Sequence, residues 1–280
     1  MTAFARRVAA LTGVAEERIE RLAGGDLSEA LLVRRPDGRS SVAKRDLTAG
    51  AEAAMLRAIA AAGVPAPLVE GEHDGVLLLE HVPNDRVFSP AAWAEVGAAL
   101  RRLHEQGGES YGWPVDYQIG TVALDNRQRR DWPGFWAEQR LVATAGVLDR
   151  PWRERVGRLA ERIGELAPAA PRPSLLHGDL WGGNILVAQG RLTALIDPAC
   201  YHGDAEVDLA MLTLFETPGR LSGRPMERSS RAGRSGARST SCSRPCSTCG
   251  CSATPMPAWS TGCWPGSAPD QPSGYRSASE

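Results

Sequence analysis

The stretch His177-Gly178-Asp179-Leu180-Trp181-Gly182-Gly183-Asn184, followed by Ile185-Leu186-Val187 and then Leu195-Ile196-Asp197-Pro198, decides the reading of the chain. Short apolar runs enclose glycine-rich turns, so Asp179 and Asn184 share one tight loop and Asp197 closes the next hairpin. Taken singly, each residue has a plain explanation: Asp179 as a turn former, Asn184 as a cap, Asp197 as a strand-end residue. His177 reads as a structural hydrogen-bonder. Together, in this order, they supply what phosphoryl transfer needs. One aspartate orients the attacking hydroxyl and accepts its proton, while an asparagine and a second aspartate offer the oxygen ligands that Mg2+ prefers. Asp179 is thus the candidate base, and Asn184 and Asp197 are the candidate metal ligands.

Working outward, the spacing HxDxxxxN with an aspartate thirteen residues after the asparagine follows the order of a kinase catalytic loop and metal loop. Upstream, ERIERLAG, ALLVRR and SSVAKRD are strand-like, the last two joined by a Pro-Asp-Gly turn. An alanine-rich helix ending at Gly63 follows, then the strands APLVEGE and GVLLLEHV. Gly24 and Gly25, in GGDLS, lie between two strands, where glycines let backbone N–H groups approach phosphates. Lys44 ends the third strand and Glu52 starts the next helix, a pairing that steadies a lysine toward the phosphates of ATP. The backbone of Glu80 to Val82, where two lobes join, faces an adenine edge. Beyond residue 82 the pattern turns mostly helical, with Ser89 and Pro90 opening one helix. The expected fold is α+β and two-lobed, protein-kinase-like: a nucleotide-binding lobe over 1–80, with a small antiparallel sheet, and a mainly helical catalytic lobe over 81–216.

Composition supports that reading. Of the 32 basic residues, Lys44 is the single lysine. Where arginine serves every ordinary surface charge, a retained lysine marks a place that needs a compact point charge. The formal net charge of −1 gives no reason to expect a nucleic-acid partner. No apolar run approaches the roughly 20 residues of a membrane span, and the start has no secretion-signal pattern. A cytoplasmic monomer is the default expectation.

LLHGDLWGGNILV and LIDPACYHGDAEVDLAMLTLF resemble the fructosamine (ketosamine-3-) kinase family, which is related to aminoglycoside phosphotransferases. GGDLSEA, the lysine strand, YGWPVDYQIGT and DWPGFWAEQRL are similar to family landmarks, and the resemblance spans residues 5–216. It implies ATP-dependent phosphorylation of a sugar hydroxyl on a ketosamine or other glycated amine, a deglycation repair role, with ATP and Mg2+ required. Carried over by position, Asp179 is the base, Asn184 and Asp197 hold Mg2+, and Lys44 with Glu52 steadies ATP. Trp181 contacts the sugar, and Asp208 braces the catalytic loop. Two alternatives stand beside this one: a kinase of another acceptor, such as an aminoglycoside or choline-like amine, and an inactive truncated remnant.

The last segment, 217–280, is different. From Pro218 onward it holds one leucine and no valine or isoleucine, and five of the six cysteines crowd into it. Eight arginines against three acidic residues leave it at +5 and the rest of the chain at −6. Such a composition predicts disorder. The irregular cysteine spacing, with no histidine nearby, argues against a zinc site. A reading-frame shift near residue 217 explains it, because leucine codons read one base out of frame become cysteine or tryptophan. The family's closing helices would then be lost. Translating the alternative frame of the gene beyond codon 217 is expected to restore leucine-rich helical periodicity; a polar, aperiodic translation refutes the idea.

Overall fold

The computed structural model describes residues 2–22, 29–45 and 48–215. Gly24 and Gly25 of the expected phosphate loop, and the whole of 217–280, lie outside the described residues. The N-terminal part opens with α1 (Ala3–Thr12), capped by the Thr2 side chain and closed at Gly13. There follow β1 (Ile19–Arg21), β2 (Ala30–Arg34), β3 (Ser40–Arg45), α2 (Ala49–Ala61), β4 (Val69–His73) and β5 (Val76–Glu80). The five strands form one antiparallel sheet in the order β1-β2-β3-β5-β4. In β3, Ala43 is buried with Val8 and Phe4 of α1 on one side of the sheet. The two-residue period of the strand therefore sends Val42 and Lys44 to the opposite face.

Helices dominate from there: α3 (Pro90–Glu105), α4 (Trp132–Phe135), α5 (Arg150–Leu166) and α6 (Glu206–Phe215). Their starts are written in the sequence. The hydroxyl of Ser89 accepts from the Ala92 N–H at 3.0 Å, and the Asp149 carboxylate accepts from that of Trp152 at 3.3 Å, each followed by a proline in the first turn. Three short antiparallel pairings fill the gaps: β6 (Tyr117–Ile119) with β7 (Val122–Leu124), β8 (Ser174–Leu176) with β11 (Tyr201–Gly203), and β9 (Ile185–Ala188) with β10 (Arg191–Leu195). One apolar core joins Met55 and Ile59 of α2 to Val96, Leu100 and Leu103 of α3, and to Leu175, Ile185 and Leu195 of the short strands. This is the two-lobed α+β fold expected, with a small antiparallel sheet and a mainly helical second lobe. Among the described residues no helix is long and apolar enough to cross a membrane.

DWPGFWAEQRLVATAGVL reads as one helix, but α4 passes into a π-helical turn over Trp136–Val142. The wider turn brings Gln139 and Arg140 together onto the preceding loop. Arg140 donates to the Asp125 carbonyl and the Asn126 side chain, both at 2.7 Å, and Gln139 donates to the Arg127 carbonyl at 2.7 Å. Those side-chain bonds compensate the irregular backbone.

Leu103 is fully buried where α3 meets β8. Leu103→Ala is expected to lower the unfolding free energy by about 3 kcal/mol in denaturant titration, whereas Leu166→Ala, at 60% exposed, changes it by less than about 0.5 kcal/mol. Equal effects would mean that the core is not where the packing places it.

Candidate active site

Lys44 links the parts of the site. Its Nζ donates to Glu52 Oε1 at 2.6 Å and to Asp197 Oδ1 at 2.7 Å, so β3, α2 and the segment after β10 meet on one ammonium. The Lys44 and Glu52 side chains are 10% and 2% exposed, while Asp197 is 46% exposed. Burial works against the charge, yet the two carboxylates outweigh it and hold the ammonium's pKa above its ordinary value. Asp197 sits at φ +55°, in the left-handed region that aspartate tolerates better than most residues.

The catalytic loop is built by a chain of backbone bonds. Gly178 has φ +81°, and a Cβ there would lie 2.0 Å from the Ala199 carbonyl oxygen, so only glycine fits. The Ala199 N–H donates to the His177 carbonyl at 2.8 Å, which ties this loop to the one after Asp197. His177 is fully buried, and its neighbours fix its tautomer. Nε2 faces the Ile196 carbonyl at 3.0 Å and must donate; Nδ1 faces the Asp179 N–H at 3.4 Å and must accept. Burial lowers its pKa, so the imidazole is neutral and structural.

Asp179 is half-buried beside it. The Asn184 side-chain N–H2 donates to the Asp179 carbonyl at 2.8 Å and to its carboxylate at 3.0 Å. Desolvation raises the Asp179 pKa above the carboxylate norm, against the pull of His177 and Asn184. The amide nitrogen of Asn184 is thereby spent on Asp179, which leaves its side-chain oxygen as the atom suited to a cation. Asp197 keeps one carboxylate oxygen with no partner among the described residues. Two oxygen donors of this kind, one neutral and one anionic, fit a hard divalent cation such as Mg2+.

Asp208, with no exposure, accepts from the His177 and Gly178 N–H groups at 2.8 and 2.9 Å, and His104 Nε2 lies 2.9 Å from the same carboxylate. Trp181 is half-buried and packs its ring over Gly183, where a Cβ would come within 2.2 Å of it. Glu80 ends β5, and Val82 follows it on the connection between the two halves. The Glu80 N–H is spent on the Leu68 carbonyl at 2.9 Å, while that of Val82 has no partner among the described residues.

Three features escaped the sequence reading. His104 follows the core residue Leu103 at the end of a helix stripe and looks like an ordinary helix-end basic residue. The connection after Val82 is stapled to the β9–β10 hairpin: the Asp85 N–H donates to the Val187 carbonyl, the Gln189 N–H to the Asp85 carboxylate, both at 2.8 Å, and the Thr193 hydroxyl to the Pro83 carbonyl at 2.9 Å. The Cys200 N–H reaches the Met55 sulfur at 3.2 Å, tying α2 to the loop after Asp197. Only the Asn84-Asp85 pair, a turn signal, hinted at the second of these.

Comparison with known proteins agrees with this geometry. The fructosamine kinase family model matches residues 1–220. A probable ketoamine kinase of Synechocystis is 35% identical over 178 residues, 59% of each chain, so this chain spans well under two thirds of that relative. A probable ketoamine kinase of Vibrio parahaemolyticus is 32% identical over 211 residues, covering 70% of this chain and 72% of its own. The crystal structure of a candidate fructosamine-3-kinase from Thermobifida fusca superposes with a TM-score of 0.66 at 33% identity, covering 77% of this chain and 80% of that one. An aminoglycoside phosphotransferase solved with AMP-PNP and hygromycin B shares the fold, at 18% identity and a TM-score of 0.52 over 75% of each chain. With its motif loop, its buried lysine and a matched span that takes in every residue from α1 to α6, the chain belongs to the fructosamine kinase family.

Proposed function

We propose that this chain is an ATP-dependent kinase whose acceptor is a sugar hydroxyl of a ketosamine, serving deglycation repair. The observation that carries the reading is the ammonium of Lys44 held between Glu52 and Asp197, with Asp179 and Asn184 joined on the neighbouring loop. The relatives named ketoamine kinases support the acceptor class. The related folds crystallised with AMP-PNP support the nucleotide. The proposal divides the chain at 80/81 into nucleotide-binding and catalytic lobes and takes it as a cytoplasmic monomer acting on a small molecule.

In this mechanism Lys44 lays its point charge against the ATP phosphates and Glu52 keeps it there. Asn184 and Asp197 are the residues that would supply oxygens to Mg2+, and the ion would contribute charge neutralisation at the phosphates. The acceptor hydroxyl bonds to Asp179, and its oxygen attacks the γ-phosphorus in line. The bond from that phosphorus to the ADP oxygen breaks as the new P–O bond forms, and the hydroxyl proton passes to Asp179. Trp181 flanks the sugar. His177 and Asp208 touch neither reactant and hold the loop. The backbone between Glu80 and Val82 meets the adenine edge.

Asp179→Asn is expected to lower kcat on a fructosyl-amine by about a hundredfold or more, measured as ADP release. Equal rates refute the base. In the wild type, protonated Asp179 cannot accept a proton, so kcat/KM falls as pH drops through its raised pKa. The acid limb therefore lies above the ordinary carboxylate value of 3.8 and is absent from the variant's residual rate. Screening fructosyl-amine, aminoglycoside and choline-like acceptors by the same assay tests the substrate class; turnover confined to the latter two refutes the ketosamine.

Lys44→Arg keeps the charge but replaces a point donor by a planar fork between two carboxylates. It is expected to reduce kcat/KM for ATP by about tenfold or more. An arginine variant as efficient as the wild type would show that charge alone is what the position requires.

A further inference from the structure

A carboxylate with no exposure to water is costly unless donors surround it. Asp208 has three: the N–H groups of His177 and Gly178, and Nε2 of His104. The first two are backbone groups of the very residues that precede Asp179. Among the described residues His104 is the only side chain that bonds to Asp208. The buried basic side chains among the described residues are committed elsewhere: Lys44 to Glu52 and Asp197, and Arg140 to the Asp125 carbonyl and Asn126. His177 spends both ring nitrogens on the backbone.

His104 is well placed to act as a fixed post. It stands in the last turn of α3, next to Leu103, which anchors the helix in the core, and its side chain is 13% exposed. Nε2 shares the oxygen Oδ2 with the His177 N–H, so the imidazole sets the rotation of the carboxylate about its own bond. The loop above has no slack, because Gly178 lies against the Ala199 carbonyl with no room even for a methyl group. A turn of the Asp208 carboxylate therefore moves the backbone that carries Asp179.

We propose that His104 is a positioning residue: it fixes the Asp208 carboxylate and, through the His177 and Gly178 amides, the place of Asp179. The proposal deepens the reading of Asp179 as base and rests on it for its kinetic consequence, but not for its structural one.

Hydrogen exchange tests the structural part without nucleotide or acceptor, and so separates it from the question of turnover. In His104→Ala the His177 and Gly178 amides are expected to exchange at least about tenfold faster, while the amides of the β3–β5 pairing keep their wild-type rates. His104→Gln, which returns a neutral N–H donor, restores protection. Unchanged exchange at the two amides, equal acceleration across the whole chain, or no recovery in the glutamine variant each overturns the proposal. Thermal unfolding of both variants identifies any that simply fails to fold, and the glutamine variant carries the test in that case. In turnover, His104→Ala lowers kcat by about ten- to a hundredfold with KM for ATP unchanged. A raised KM at wild-type kcat overturns the proposal.

Discussion

The structure depends on one ammonium group shared by two carboxylates that come from distant parts of the chain. Lys44 and Glu52 are eight residues apart, but Lys44 and Asp197 are separated by 153. A charge so deeply buried is tolerated only because both partners are in place; in comparable buried pairs, removing one partner costs about 3–5 kcal/mol. The contact therefore does two things at once. It presents the positive charge that the proposed mechanism lays against phosphate oxygens, and it ties β3 and α2 of the sheet half to the segment after β10.

Several weaker contacts reinforce that tie. Asp85 and Pro83 fasten the connecting segment to the β9–β10 hairpin, so the chain leaves the sheet half already anchored to the hairpin that ends at Asp197. Met55, on the helix that carries Glu52, accepts from Cys200, three residues beyond Asp197. Both ends of the ion pair are thus tied to each other by routes that do not pass through Lys44. Rigidity of this kind lets a few polar groups hold their geometry without a ligand to organise them.

Much of this was legible in the sequence, because the signals were local. The Pro-Asp-Gly turn, the alternation in SSVAKR and the caps at Ser89 and Asp149 each specify an element from its own residues. The HGDLWGGN loop advertises its chemistry because its polar residues must lie within one turn of each other. What stayed hidden is long-range or irregular. His104 meets Asp208 across 104 positions, and nothing around it differs from a helix-end basic residue. The π turn over Trp136–Val142 is imposed by bonds from Gln139 and Arg140 to a loop more than ten residues upstream, a tertiary demand that overrides helical periodicity. The lone lysine was legible from composition, because every other lysine-or-arginine position is arginine, but its bond to Asp197, 153 residues away, was not.

The distribution of partners among three neighbouring carboxylates favours Asp179, and not its companions, for the base of the proposed mechanism. Asp197 is neutralised by Lys44, and Asp208 is enclosed by three donors. Asp179 has one amide, from Asn184, and no lysine or arginine among the described residues. Desolvation and the like charges of Asp197 and Asp208 both raise its pKa. A carboxylate left in that state gains proton affinity, which is what accepting a hydroxyl proton requires. It must still be ionised at working pH, and the Asn184 bond and the nearby His177 limit the shift. The site thus withholds charge compensation from one of its three acids and supplies it to the other two, and that difference in partners is what the proposed division of roles rests on.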